Sequence, residues 1–427
     1  MKLRKRTLVG SPSSEVTQRE IDNRKLVREA AAESFVLLKN ENNLLPLAEG
    51  ARLGLYGAGA IKTMKGGTGS GDVNERDNVN IYQGLLNAGF EITSKRWLDS
   101  YQKVYEKSRE DWKQCIIEKS EKEGMNIVFS YFSTPYCLAA GDPITREDGA
   151  DGADTAIFVL SRIAGEGADR KDEEQDYYIS KKERAMLECL SDCYEHIILL
   201  LNAGGLVDLA FLDEYPKIEA VLNILQPGQE GGNAVADVLL GKKVPSGKLT
   251  DSWAMDYSDY PSAQTFSFKS GDVFHEEYKE GIYVGYRYFE TFAKEKVRYP
   301  FGYGLSYTTF DVQAALDMCS LPAGLAKGEV SKTDTLHVTY DITNTGDLPG
   351  KETIQFYVQK PQGFLGKPSR ELIRFAKTEL LEPGEGESGI LAIDFYALSS
   401  YDDSGITGHA FCYVLEEGTY TILAGTN

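Results

Sequence analysis

Apolar and polar residues follow one another along this chain with a spacing that changes from segment to segment. From Leu26 the run Leu26-Val27-Arg28-Glu29-Ala30-Ala31-Ala32-Glu33-Ser34-Phe35-Val36-Leu37-Leu38 is rich in strong helix formers, with apolar residues three and four apart. This spacing predicts a helix, stopped by Asn40 to Pro46. Residues 1 to about 24 are polar, show no cap and read as a loose lead. Arg52-Leu53-Gly54-Leu55-Tyr56-Gly57 predicts a short buried strand entering a glycine-rich loop.

The centre repeats a strand-then-helix rhythm. Asp154 to Leu160 is largely apolar, as expected of a strand covered on both faces. After an acidic loop, Ser180 to Cys193 has helical period. The apolar run Ile197 to Leu201 follows, then a Gly204-Gly205 turn, then a further run, Ala220 to Leu225, ending at Gln226-Pro227-Gly228. Asn233 to Leu240 is helical again and stops at Gly241. Strands alternating with helices imply a mainly parallel sheet sandwiched between helix layers, an α/β fold.

From about Phe310 the period becomes two. Leu336 to Thr343 alternates, Asn344-Thr345-Gly346-Asp347 makes a turn, Thr353 to Gln359 is another strand, and Tyr420 to Gly425 closes the chain. This predicts an all-β sandwich of immunoglobulin-like type over 310–427. The boundaries expected are a lead at 1–24, the α/β unit at 25–262, a connector at 263–309 rich in tyrosine, phenylalanine and glycine and packed on that unit, and the β-sandwich.

Composition narrows the function. With 427 residues, 42% hydrophobic and 26% charged, the chain is long enough for two or three domains with their own cores. A net charge of −19 argues against nucleic acid, which needs a basic face, and against anionic membrane surfaces. No run approaches the ~18 apolar residues that span a bilayer. The basic start Met1 to Arg6 is followed by residues too polar for a secretion signal, so a cytoplasmic protein is expected. Six scattered cysteines make no disulfide framework. Cys189 and Cys193, with His196 nearby, lack a second ligand pair for a metal and read as two core thiols on one helix face.

The stretch Ser161-Arg162-Ile163-Ala164-Gly165-Glu166-Gly167-Ala168-Asp169-Arg170 sits just past the carboxyl end of a predicted strand, where open α/β sheets place their sites. Glu166 stands between two glycines, which let the backbone turn and present one carboxyl group. In a partly dry setting such a group serves as a general acid; in water it is a loop acid beside Arg170. A second glycine loop, Lys65-Gly66-Gly67-Thr68-Gly69-Ser70-Gly71-Asp72, lacks the Gly-Lys-Ser/Thr end of a phosphate loop, and Gly57-Ala58-Gly59 lacks the third glycine of a dinucleotide fingerprint. It reads as a loop bringing backbone and the Ser70 hydroxyl to a polar ligand. The acidic run Asp172 to Asp176 does not match a calcium loop and reads as a solvated face.

Taken in order, these stretches resemble family 3 glycoside hydrolases of the β-glucosidase type. The motifs are Arg28-Glu29-Ala30-Ala31-Ala32-Glu33-Ser34, Leu44-Leu45-Pro46-Leu47, Gly69-Ser70-Gly71, Gly165-Glu166-Gly167 with Asp169-Arg170, and Gly228-Gln229-Glu230-Gly231-Gly232. Pro245-Ser246-Gly247-Lys248-Leu249, Gly285-Tyr286-Arg287-Tyr288 and Phe301-Gly302-Tyr303-Gly304-Leu305-Ser306-Tyr307 continue the series. Asn344-Thr345-Gly346 with Gly350-Lys351-Glu352 looks like that family's fibronectin III-like domain. The resemblance covers about residues 25 to 427. It implies that Glu166 is the acid/base, that Ser70 and Arg170 contact the substrate, and that no metal or organic cofactor is needed. The implied substrate is a β-linked glucoside or oligosaccharide.

The same resemblance implies a (β/α)8 barrel carrying the aspartate nucleophile, in cis or in trans. No barrel of roughly 200 residues lies on either side of these motifs. The chain is then a fragment of a permuted enzyme, one of two chains, or a protein that works without a barrel; alone it has half a catalytic pair, and little or no turnover is expected. A non-catalytic carbohydrate-binding or assembly module is the alternative.

Overall fold

Thr17 opens the first helix. Its hydroxyl accepts the backbone N–H of Glu20 at 3.3 Å, and the Glu20 carboxylate accepts the Thr17 N–H at 2.7 Å, a reciprocal cap. In this computed structural model, which describes residues 14–426 except 68–70, 72, 74, 150, 151, 165–168, 270, 273, 276 and the Phe268 side chain, helix α1 runs Gln18–Ser34. The helix thus begins eight residues before Leu26 and is capped, contrary to the expected loose start. It also ends earlier than its apolar spacing predicts, because Phe35 is extended and Val36–Asn40 form strand β1. Four consecutive buried residues, Phe35, Val36, Leu37 and Leu38, suit a covered strand better than a helix with one wet side.

The remaining elements of this half are β2 (Arg52–Tyr56), α2 (Ile81–Asn87), β3 (Glu91–Ile92), α3 (Lys95–Glu123), α4 (Ile127–Phe132), β4 (Thr155–Ser161), α5 (Lys181–Cys193), β5 (His196–Asn202), β6 (Ile218–Asn223) and α6 (Gly231–Leu239). The predicted strands at 154–160, 197–201 and 220–225 and the helices at 180–193 and 233–240 are all present, within a few residues of their predicted ends. The sheet order is β1-β6-β5-β4-β2-β3, parallel except for β1, which pairs antiparallel with β6. The β4–β5–β6 centre buries Ile157, Ile198, Leu199, Leu200 and Val221 to 1% exposure or less. Each such side chain stabilises the fold by ~1.5–3 kcal/mol.

From β2 the chain steps outward to β3, then returns to β4 and proceeds the other way to β5 and β6. Right-handed crossovers put helices of opposite step on opposite faces, so α2 and α5 lie on different sides of the sheet. Helices α2, α6 and α1 share one face, where Gly84 and Gly232 touch: a Cβ on Gly232 would overlap the Asn80 carbonyl. Arg28 grips Asp237 of α6 through two bonds of 2.5 and 2.6 Å, and Arg24 reaches Glu230.

The second half opens with β7 (Trp253–Ala254), α7 (Tyr286–Phe292) and β8 (Val297–Tyr299), with β7 and β8 paired. Two three-stranded antiparallel sheets follow. One joins β9 (Phe310–Asp317), β10 (Thr335–Asn344) and β13 (Gly386–Asp394); the other joins β11 (Thr353–Gln359), β12 (Glu371–Lys377) and β16 (Thr421–Gly425). Their facing side chains, among them Val338, Ile342, Ile354, Phe356 and Ile393, form a separate core. After β13 come α8 (Phe395–Leu398) and a hairpin of β14 (Ser400–Asp402) and β15 (Cys412–Val414).

The connector holds both halves. Leu305 N–H donates to Leu37 O and the Tyr307 hydroxyl to Val238 O on one side. Ser369 N–H donates to Thr291 Oγ1 and Leu372 N–H to the Tyr286 hydroxyl on the other. It is thus a bridge between the two cores as well as a cover for the first.

Candidate active site

The chain changes direction between β2 and β4, so the loops leaving their carboxyl ends diverge and open a crevice there. In doubly wound sheets that switch point is where ligands bind. The loop after Tyr56 leads to Ser70, and the loop after Ser161 leads to Glu166. Both Ser70 and Glu166 lie outside the described residues, so the structure is informative about what holds their loops at the root.

The first loop leaves β2 through Gly57, whose φ of 88° favours glycine. A Cβ there would also lie 2.8 Å from the Val159 nitrogen on β4. The loop then crosses the end of the sheet and is fastened by Asn202, the last residue of β5, which is fully buried. Its Oδ1 accepts the Met64 N–H (2.7 Å) and the Ser161 hydroxyl (3.0 Å). Its Nδ2 donates to Met64 O (3.0 Å) and Leu225 O (2.7 Å). One amide thus ties the ends of β4, β5 and β6 to the glycine loop. Lys65 closes the loop by pairing with Glu75 and donating to Val73 O. Beside it is a polar cavity of about 280 Å³ lined by Lys62, Thr63, Asn78, Asn80, Gln83 and Tyr105, among others. The Lys62 ammonium lies 4.5 Å from the Tyr105 ring centre, and burial lowers its pKa.

The second loop is clamped at both ends on Asp176. Arg162, with 4% of its side chain exposed, makes a two-pronged bond to Glu183 (2.7 and 3.0 Å). It also donates to the carbonyls of Ser161, Asp176 and Tyr178 at 2.8–3.1 Å. Glu183 in turn caps α5 through Ser180. Arg170 pairs with the Asp176 carboxylate and donates to Asp176 O (2.9 Å) and Leu206 O (3.1 Å). Of the acidic run expected to be solvated, Asp172 to Gln175 are exposed, but Asp176 is a structural anchor.

Arg170 keeps one donor in reserve. Among the described residues, its Nη1 is buried without an acceptor, and so is the Gln226 Nε2. A Cβ on Gly205 would lie 3.0 Å from the first, and one on Gly204 would lie 2.8 Å from the second. Two unsatisfied donors therefore face one glycine turn at the carboxyl end of β5. Leaving such groups unmet costs ~1–3 kcal/mol each. Sequence reading identified Arg170 but missed Arg162, Asn202 and Gln226. The available signal was a polar residue directly ending each apolar run.

The other sequence candidates settle elsewhere. Cys189 and Cys193 are partly buried against the core, and burial together with its neighbour pushes the Cys189 thiol up to about 11. Among the described residues, no three His, Cys, Asp or Glu are grouped to hold a metal, and no helix is long and apolar enough to cross a membrane. The Gly228–Gly232 segment serves the α1–α2–α6 contact, with Gln229 donating to Asp77 O at 2.7 Å.

Comparison with known proteins finds matches for both halves of the chain. Residues 35–307 match the glycosyl hydrolase family 3 C-terminal domain, and residues 352–427 match a fibronectin type III-like domain. The chain is 38% identical to β-glucosidase A of Butyrivibrio fibrisolvens, covering 93% of this chain and 49% of that protein. It is 37% identical to a β-glucosidase of Ruminococcus albus, over 93% of this chain and 39% of that one. A β-glucosidase structure from Paenibacillus barengoltzii superposes with a TM-score of 0.82 at 37% identity, covering 94% of this chain and 41% of the other. β-Glucosidase 3B of Thermotoga neapolitana, in complex with glucose, gives 0.78 at 34%, covering 95% and 52%. The chain spans about half the length of these relatives, or less, and among the described residues no eight-stranded parallel barrel occurs. Matched in both its halves by sequence and by fold, the chain belongs to glycosyl hydrolase family 3.

Proposed function

We propose that this chain supplies the acid/base half of a retaining β-glucosidase. Glu166 protonates the glycosidic oxygen as the bond breaks and then takes a proton from the water that releases the sugar. Ser70 and Arg170 hold the substrate, a β-linked glucoside or oligosaccharide. The nucleophile comes from a (β/α)8 barrel, in cis or in trans, placed so that the two carboxyl groups stand ~5–5.5 Å apart.

The observation that carries this reading is the double clamp on Asp176, which fixes both ends of the Glu166 loop at the switch point. The acids at the loop roots support the need for an outside nucleophile. Asp176, Glu75 and Glu230 are each held by a cation, Arg170, Lys65 and Arg24 respectively. A carboxylate so held is a poor attacking group.

The test is hydrolysis of two fluorogenic β-glucosides, one with a poor and one with a good leaving group, by the chain alone and with the barrel half of a family relative. The mixture should turn over with retained anomeric configuration. Glu166→Gln should slow the poor leaving group far more than the good one, because only the former needs a proton. Glu166-dependent turnover by the chain alone would overturn the half-site account; equal loss on both substrates would overturn the acid assignment.

A further inference from the structure

The second domain carries a row of aromatic rings that serves neither core. Tyr396 on α8, Tyr401 on β14 and Tyr413 on β15 lie side by side, with Tyr413 in the middle. Ring centres are 4.6 Å apart with the rings tilted by 51° for Tyr396 and Tyr413, and 5.1 Å apart with a tilt of 60° for Tyr401 and Tyr413, the last two being direct cross-strand partners. The three are 48, 49 and 55% exposed, and none belongs to the buried clusters of either half. Phe411, next to them, is 73% exposed and is held at a φ of 59°, a conformation uncommon for so bulky a residue. Strained backbone of this kind persists where surrounding structure enforces it, and it gathers at ligand-contacting sites.

What enforces it is Asp402. Its buried carboxylate accepts N–H groups from Ser404, Gly405, Ile406 and Thr407 and the hydroxyls of Ser404 and Thr407, at 2.6–3.3 Å. Its carbonyl takes the Phe411 N–H at 2.7 Å. The loop between the strands is therefore wound around one side chain, and the rings are presented on a pre-organised support. A ligand that docks there meets little ordering cost.

We infer that this row is a surface binding site for a neutral β-glucan chain, remote from the Glu166 crevice. A pyranose ring offers a face of C–H groups, which packs on the negative face of an aromatic ring. The tyrosine hydroxyls, and the exposed Asp403 and His409 of the loop between β14 and β15, can bond the equatorial hydroxyls of such a chain. A net charge of −19 disfavours polyanions and leaves neutral polymers. The choice of a β-linked glucan rests on the glycosidase reading above; the existence of the site does not.

The test is native gel electrophoresis of the full chain with and without soluble mixed-linkage β-glucan in the gel. The chain should be retarded by the polymer, and Tyr413→Ala should abolish that retardation. Tyr413→Phe, which keeps the ring, should preserve it, and Tyr401→Ala should weaken it. Thermal unfolding checks that each variant folds; if Tyr413→Ala does not, Tyr401→Ala reads the same row. Glu166→Gln should be retarded like the parent chain, so that failure of the catalytic proposal and failure of this one are separate results. An unretarded parent chain, or retardation indifferent to both alanine variants, overturns the inference. So does self-association on a sizing column that Tyr413→Ala removes while the glucan has no effect, because the row would then be a contact between copies.

Discussion

Replacing Arg162 with methionine keeps an unbranched apolar stem and removes the charged guanidinium. In the native fold that guanidinium makes five hydrogen bonds, two to Glu183 and three to the carbonyls of Ser161, Asp176 and Tyr178. Glu183 has only 10% of its side chain exposed, so Arg162→Met leaves a carboxylate buried with Ser180 as its remaining partner. Breaking a buried pair from one side costs ~3–5 kcal/mol, most of it the stranded charge. Adding Glu183→Met removes that charge but also the cap on α5, itself worth ~1 kcal/mol. The three carbonyls stay unmet in both variants. The double variant should therefore recover roughly 2 kcal/mol relative to the sum of the two single losses, within the range seen for residues in one network.

Equilibrium urea unfolding followed by tryptophan fluorescence measures each step of this cycle. Hydrogen exchange supplies the local reading: amides of 171–178 should lose protection in Arg162→Met well before those of β5. A single-variant loss below ~1 kcal/mol would refute the reasoning, since that is the range of an exposed pair. So would losses that simply add, because Arg162 and Glu183 would then not be stabilising each other. A pair that proves independent would also remove the reason for supposing the Glu166 loop is clamped.

Three further outcomes follow from the packing and the titrating groups. Gly232→Ala forces a Cβ into the backbone of Val79 and Asn80 and should cost ~1–3 kcal/mol by urea unfolding, as overpacking does. Burial raises the Asp208 carboxyl above its usual pKa, so its stability contribution is full below its unfolded pKa and is lost as pH rises through the folded one. Asp208→Asn should accordingly raise the melting temperature at neutral pH and give no gain below about pH 3.9. Asp402 is the opposite case. Bonds from Thr407 and its neighbours hold its pKa below the usual range, so its stabilisation is present above about pH 3.9 and is lost as pH falls through the depressed value. Asp402→Ala should open 403–411 to limited proteolysis at neutral pH while β10 and β13 stay protected.

How much of this was legible beforehand depended on the kind of signal. Strands β4, β5 and β6 could be read because both their faces are covered, so each is an unbroken apolar run whose ends the chain itself marks. Helix α1 was misread at both ends for a related reason. Its first turns carry Arg24 and Arg28 toward Glu230 and Asp237, some 200 residues away, so its inner face is partly ionic and has no apolar stripe before Leu26. At its other end the buried residues of β1 continued the helical spacing by coincidence. The 29-residue α3 escaped notice because it buries only Trp97, Leu98, Tyr101 and Ile116 along its length.

The site shows the same division more sharply. Glu166 and Ser70, which lie outside the described residues, were singled out through glycines, which report what the local backbone must do. Asn202, Arg162 and Gln226 were not, because their roles exist only across the sheet. Asn202 joins Met64 to Leu225, and Gln226 shares a turn with Arg170. A polar side chain with four possible bonds cannot end a fully apolar strand unless those bonds are met, since an unmet amide there would cost more than a lost methyl contact. The parallel strands β4, β5 and β6 end in Ser161, Asn202 and Asn223, each of which lies at the carboxyl edge and is buried. Polar termini on buried parallel strands therefore mark the edge where loops are fastened, and in a doubly wound sheet that is also the edge where substrate arrives.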